Sequence, residues 1–253
     1  MEGKIKFGGM VKEFFHDKSL KKEKEKIKDK ERSWGVYDSN LLEFGSTFYA
    51  SLPTEYEFKS WKEGLRLYIE NTLSLERKEK LTAVEFGGPG SRFFSGFSND
   101  FFRKTIGVCL ADIRNENLKV EDSKSNHYVI TGDILDVHND EIFKEIRAKL
   151  DVNKIDLIIS RMVGGLNQFE GSKTALDNAV RLWYGLLNEN GIMFIQYNYN
   201  SINDKEDNIV AECIEKIKSK YPQIDIQLGK GSIRLHKKPG APEELPEDTH
   251  FFV

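Results

Sequence analysis

A chain of 253 residues is long enough for one large α/β domain, or for one domain with an appended segment. A hydrophobic content of 39%, with 17 Phe and 9 Tyr, supports a true core and excludes global disorder. The formal net charge of −3 gives no whole-chain case for nucleic-acid affinity, and no apolar run approaches the length of a bilayer span. The N-terminus is charged and lacks the apolar core of a signal peptide, and Cys109 and Cys213 sit singly in apolar patterns, as buried reduced thiols do; both features point to a cytoplasmic protein.

Residues 1–57 lack the strand–helix rhythm of the rest of the chain and are expected to form an N-terminal extension or cap. Their stretch from Lys18 to Arg32 is almost wholly charged, fitting a solvated helix laced with opposite charges or an arm. Aromatic residues at Trp34, Tyr37, Phe48 and Tyr49 imply that this part docks onto the main domain. An amphipathic helix is expected from about Glu57, with Trp61, Leu65, Tyr68, Ile69 and Leu73 on one face. From Leu81 strands and helices alternate. Strands are expected at 81–86, 105–111, 127–131, 155–160 and 191–197, and helices at 140–150, 172–188 and 205–220, the middle one closed by the stop signal Asn190-Gly191. Residues 224–236 read as two short alternating strands around a glycine turn, so one strand of this hairpin must run antiparallel to the rest. The domain is thus expected over 58–238, with residues 239–253 as an extended Pro-rich, acidic tail.

The segment Leu81-Thr-Ala-Val-Glu-Phe-Gly-Gly-Pro-Gly-Ser91 carries the most chemistry. It is an apolar strand ending in an acid, followed by a glycine turn where a helix should begin. Glycines let the backbone approach a ligand, and strand C-termini of an α/β sheet open onto a crevice. The next strand leads to Asp112, an acid placed to accept both hydroxyls of a ribose. Together these residues indicate a nucleoside-bearing cofactor.

A mostly parallel sheet closed by an antiparallel hairpin resembles class I S-adenosylmethionine-dependent methyltransferases, and five segments across 81–236 resemble that family's motifs in order. Ala83-Val-Glu-Phe-Gly-Gly-Pro-Gly90 resembles the first, the glycine turn beneath the methionine part of the cofactor, though contracted by one residue. Asp112 stands where the family holds the ribose, and Gly132-Asp-Ile-Leu135 resembles the third-strand motif. Ile155-Asp-Leu-Ile-Ile-Ser-Arg-Met162 resembles the fourth, and Leu186 to Ile195 the turn into the fifth strand. The resemblance implies a Rossmann-like, seven-stranded sheet with helices on both faces. It also implies S-adenosylmethionine as cofactor, bound by Glu85, the turn Gly87, Gly88, Pro89 and Gly90, Asp112, Asp133, Ile134 and Ser160. Segment 92–102 is poor in helix formers, so the helix after the turn is expected to be short or broken.

Methyl transfer is an in-line displacement on an activated methyl group, so positioning suffices and no nucleophilic residue is required. Arg161, Tyr197 and Tyr199 are candidates for an acceptor pocket. The chain lacks an Asn/Asp-Pro-Pro-Tyr/Phe signature and a Pro-Cys nucleophile, which favours a small-molecule acceptor over nucleic acid. The five His residues show no metal-ligand spacing, so no metal site is expected. An NAD-dependent oxidoreductase would need Gly-x-Gly-x-x-Gly, and the stretch Gly88 to Phe93 lacks the third glycine. A non-enzymatic binding protein on the same fold is the other alternative.

Overall fold

The computed structural model describes residues 21–22, 25, 38–57, 59–74, 81–98, 100–110, 126–134, 140–161, 170–197 and 204–252. Seven strands form one sheet: β1 (Leu81–Phe86), β2 (Phe102–Cys109), β3 (His127–Thr131), β4 (Ile155–Ser160), β5 (Leu187–Gln196), β6 (Ile224–Leu228) and β7 (Ser232–Lys237). Their order is β3-β2-β1-β4-β5-β7-β6. Every neighbouring pair is parallel except those of β7, which runs antiparallel to both β5 and β6. The sheet is therefore mostly parallel and closed by an antiparallel hairpin, the class I methyltransferase fold that the motifs imply.

The helices are α1 (Leu41–Phe48), α2 (Thr54–Glu57), α3 (Trp61–Ser74), α4 (Ser91–Phe94), α5 (Asp140–Leu150), α6 (Glu170–Leu186) and α7 (Asp204–Lys220), with a 3-10 turn at Tyr49–Ser51. Strand alternation sorts the core into two layers. Ala83, Leu157, Ile159, Ile192 and Phe194 pack against Leu41, Phe44 and Phe48 of α1, Leu65 and Ile69 of α3, and Phe93 and Phe94 of α4. Their pleat partners Val84, Phe86, Ile158, Met193 and Ile195 meet Ile146 of α5, Trp183 of α6 and Val210 of α7 on the other face. Phe86 stacks on Trp183 with ring centroids 4.5 Å apart. Strands covered on both sides need apolar residues at successive positions, which is why β1 and β4 are buried throughout.

Several expectations shift. Trp61, expected on the inward face of its helix, is 52% exposed. A Cβ at Gly45 would overlap the Trp61 carbonyl, so α1 packs on the backbone of this first turn and the indole stays outside. The stop signal Asn190-Gly191 does not end α6, which stops at Leu186. It lies in a bulge of β5, where residues 188–191 stand opposite the single residue Asp156. Asn190 takes a φ of 64°, and the Asp156 carboxylate accepts from Asn188 Nδ2 at 2.8 Å and from the Thr82 N–H at 2.8 Å.

Residues 239–252 form no helix or strand, yet they are docked, with Leu245, Phe251 and Phe252 joining the core of the α5–α6–α7 side. Its anchor is Asp177 of α6, whose Oδ1 accepts from the N–H groups of Phe251 at 2.8 Å and Phe252 at 3.2 Å. Burial raises the Asp177 carboxyl above its usual range, against the pull of those two amides and of His250. Replacing Asp177 with Ala leaves the buried amides unpaired and should cost about 1–3 kcal/mol. Hydrogen exchange at Phe251 and Phe252 should accelerate with it, while Asp177→Asn, which keeps an acceptor, should leave that exchange slow.

Candidate functional site

The C-terminal ends of β1, β2, β3 and β4 lie along one edge of the sheet. β1 sits between β2 and β4, where the strand order changes direction, and such a switch point opens a crevice. β1 delivers Glu85 to this place, opposite Gly107 of β2 and Ile159 of β4. The glycine turn then folds back over β2, with the Gly87 N–H donating to the Val108 carbonyl at 2.8 Å. Gly87 and Gly90 take φ of 100° and 76°, a region costly to other residues, and Gly90 starts the four-residue α4. The helix after the turn is thus short, as its composition implied. A Cβ at Gly88 would overlap Glu85 Oε1, and one at Gly107 would overlap the Pro89 carbonyl, so both glycines permit close backbone approach.

The turn has a fixed strut. His127, buried at the start of β3, lies with Nε2 2.7 Å from the Pro89 carbonyl and Nδ1 2.7 Å from Thr105 Oγ1. A carbonyl can only accept, so Nε2 carries a hydrogen and donates to it; in the neutral ring Nδ1 then accepts from the threonine hydroxyl.

Glu85 is 2% exposed, and its Oε2 has no hydrogen-bond partner among the described residues. Burial pushes its carboxyl well above the usual range, the negative charge of Asp38 adds to that, and Arg161 offsets a part. A carboxylate in such a place is normally paired, and an orphaned buried oxygen costs free energy. Ligands with a hydrogen-bond donor or a positive charge would relieve it.

Two residues that no motif marks come to this place from the N-terminal segment. A capping box fixes the start of α1: Asn40 Oδ1 accepts from the N–H groups of Leu42 and Glu43, and Glu43 Oε2 accepts from the Asn40 N–H. That turn sets Asp38 and Ser39 against the crevice. Ser39 Oγ accepts from Arg161 Nη1 at 2.6 Å, and the Arg161 guanidinium lies 5.6 Å from the Phe44 ring centroid.

Of the other candidates, Ser160 is buried, its Oγ donating to the Phe86 carbonyl at 2.8 Å. Asp133 and Ile134 are half-buried just past β3, with Ile134 packed on the core edge. Tyr197 does not line an open pocket: it is 4% exposed and belongs to the core on the α6 side. Alternation along β5 puts Gln196 instead on the face of Ile192 and Phe194, the side that Glu85 shares with Ala83. Asp112, Tyr199 and the charged run 18–32, apart from residues 21, 22 and 25, lie outside the described residues.

No protein-family model matches the sequence, and no curated protein matches it. Among solved structures it is similar to the methyltransferase MycE of the mycinamycin biosynthetic pathway, in complex with Mg, SAH and mycinamycin VI, at 12% identity and a TM-score of 0.45. That match covers 83% of this chain and 52% of the other, so the chain spans about half the length of that enzyme. PKMT2 from Rickettsia typhi, in complex with AdoHcy, is 19% identical, with a TM-score of 0.38 over 65% of this chain and 29% of that one. An rRNA methylase from Streptococcus thermophilus is 12% identical, with a TM-score of 0.40 over 68% of this chain and 96% of that one. At such scores and identities these likenesses do not assign a function.

Proposed function

We propose that the crevice at the ends of β1–β4 binds S-adenosylmethionine and that the chain is a methyltransferase acting on a small-molecule acceptor. The observation that carries this reading is Glu85: a buried, partly orphaned carboxyl at the end of β1, held under a glycine turn at the switch point of the sheet. The residues present fit the cofactor. Glu85 would take the methionine ammonium, the turn from Gly87 to Gly90 would line the methionine chain, and Asp112 would accept from the ribose diol. Asp133 would accept from the adenine amino group, Ile134 would support the ring, and the Ser160 carbonyl would face the ammonium.

When bound, the cofactor supplies a methyl group on a sulfonium, which leaves as a thioether once the acceptor attacks in line. What the chain contributes is placement: a buried carboxyl at Glu85 and a turn braced by His127. The small-molecule acceptor rests on the absent base-methylation signatures.

Calorimetric titration with S-adenosylmethionine and S-adenosylhomocysteine tests the site. Micromolar binding, lost in Asp112→Ala, is expected; a folded protein that binds neither compound would sink the reading. Formation of S-adenosylhomocysteine during incubation with candidate acceptors then separates an enzyme from a silent binding protein.

A further inference from the structure

Glu85 is approached by a second acid from a distant part of the chain. The Asp38 carboxylate accepts from the main-chain N–H of Arg92 at 3.2 and 3.3 Å, and the Asp38 carbonyl accepts from Arg92 Nη1 at 3.2 Å. Arg92 stands two residues after Gly90, where a Cβ would lie 3.3 Å from Glu85 Oε2. The neighbouring Ser39 is tied to Arg161 on the β4 side. Two consecutive residues therefore clasp both walls of the crevice and bring the Asp38 charge close enough for Glu85 to feel it.

The Asp38 charge opposes ionisation of Glu85, which has a buried oxygen with no partner among the described residues. That arrangement suits a compact cation with several N–H donors, and a primary ammonium has three. Arg161 donates to Ser39, so it also holds this clasp and offsets part of the local negative charge. Resting on the reading of the crevice as an S-adenosylmethionine site, we propose that Asp38 joins Glu85 in seating the α-ammonium of the cofactor. The site would then select ligands that carry the amino acid head.

The test uses the full chain, S-adenosylhomocysteine, and 5′-methylthioadenosine, which shares the nucleoside and thioether but lacks the amino acid head. Asp38→Asn is near-isosteric and keeps an acceptor for the Arg92 N–H, so the turn should hold and the unfolding midpoint should match wild type. The variant is expected to weaken S-adenosylhomocysteine by about tenfold or more while methylthioadenosine changes by less than about twofold. Methylthioadenosine too weak to titrate in wild type, with the homocysteine compound still weakened in the variant, supports the seat as well. Unchanged affinity for S-adenosylhomocysteine would overturn the proposal and leave the cofactor site standing. Equal weakening of both ligands would also overturn it, making Asp38 a brace of the turn. If wild type binds neither ligand, the cofactor reading itself fails, and this inference with it.

Discussion

Arg234→Leu is expected to lower the unfolding midpoint by about 6–12 °C. Arg234 of β7 is 2% exposed, and its guanidinium is a hub. Nε donates to the Ser51 carbonyl at 3.0 Å, Nη1 to the Tyr68 hydroxyl at 2.8 Å, and Nη2 to Gln227 Oε1 at 3.2 Å, while both terminal nitrogens reach Asp225 at 3.2 and 3.3 Å. The charge also lies 5.2 Å from the centroid of Tyr68. Burial pushes the Asp225 carboxyl up, but Arg234, with Lys238 and His236 adding to it, holds it below its usual range. Removing one partner of a buried pair typically costs about 3–5 kcal/mol. The lower end applies here, because the Asp225 side chain is 35% exposed and can rehydrate. At about 2–4 °C per kcal/mol for a domain of this size, about 3 kcal/mol gives the stated shift. Arg234→Lys keeps the charge without the planar fork and should recover only part of it. Thermal unfolding followed by circular dichroism decides the matter, and a shift below about 2 °C would show that the hub is not holding the hairpin to α3.

The same residue shows why part of this fold is readable from the sequence and part is not. β1, β3, β4 and α5 are legible to the residue, because short apolar runs and a 3.6-residue period are local signals. The antiparallel hairpin is legible from alternation around a glycine turn. Arg234 reads as an ordinary strand cation: its partners at Ser51 and Tyr68 are 183 and 166 residues away in sequence. Asp38 and Ser39 escape for the same reason, since Arg161 lies 122 residues beyond Ser39 and no spacing rule joins them. The tail carries no periodicity, and its anchor is one aspartate in the middle of α6.

Tyr197 illustrates a different failure. The fifth strand is found, though over 187–196 rather than 191–197, and side chains alternate, so a position one residue out of step exchanges a core tyrosine for Gln196 on the opposite face. Within the candidate site, the glycine turn and Glu85 are visible as a motif because a ligand-facing turn needs particular residue types in one stretch. The electrostatic setting of Glu85 is not, because it is assembled from three elements that meet only after folding.

That setting makes Glu85→Gln act in opposite directions on stability and on binding. The folded-state carboxyl is held well above its ordinary value, chiefly by burial, whereas the unfolded chain returns it to about 4.5. The folded form therefore holds its proton more tightly. The stability this contributes is fully present below pH of about 4.5 and is lost as pH rises through the folded value. Wild type and Glu85→Gln should thus differ little in unfolding midpoint at pH of about 4. At pH of about 7.5 the variant should have the higher unfolding midpoint. Binding should move the other way. Gln keeps an acceptor but not a charge, so affinity for S-adenosylhomocysteine is expected to fall by about 10–100-fold. A carboxyl that served only the fold would lose stability on this change and leave ligand affinity alone. Midpoints at the two pH values, beside one titration, separate the cases: a gain at neutral pH together with a loss of affinity marks a group buried at the expense of stability because a ligand needs its charge.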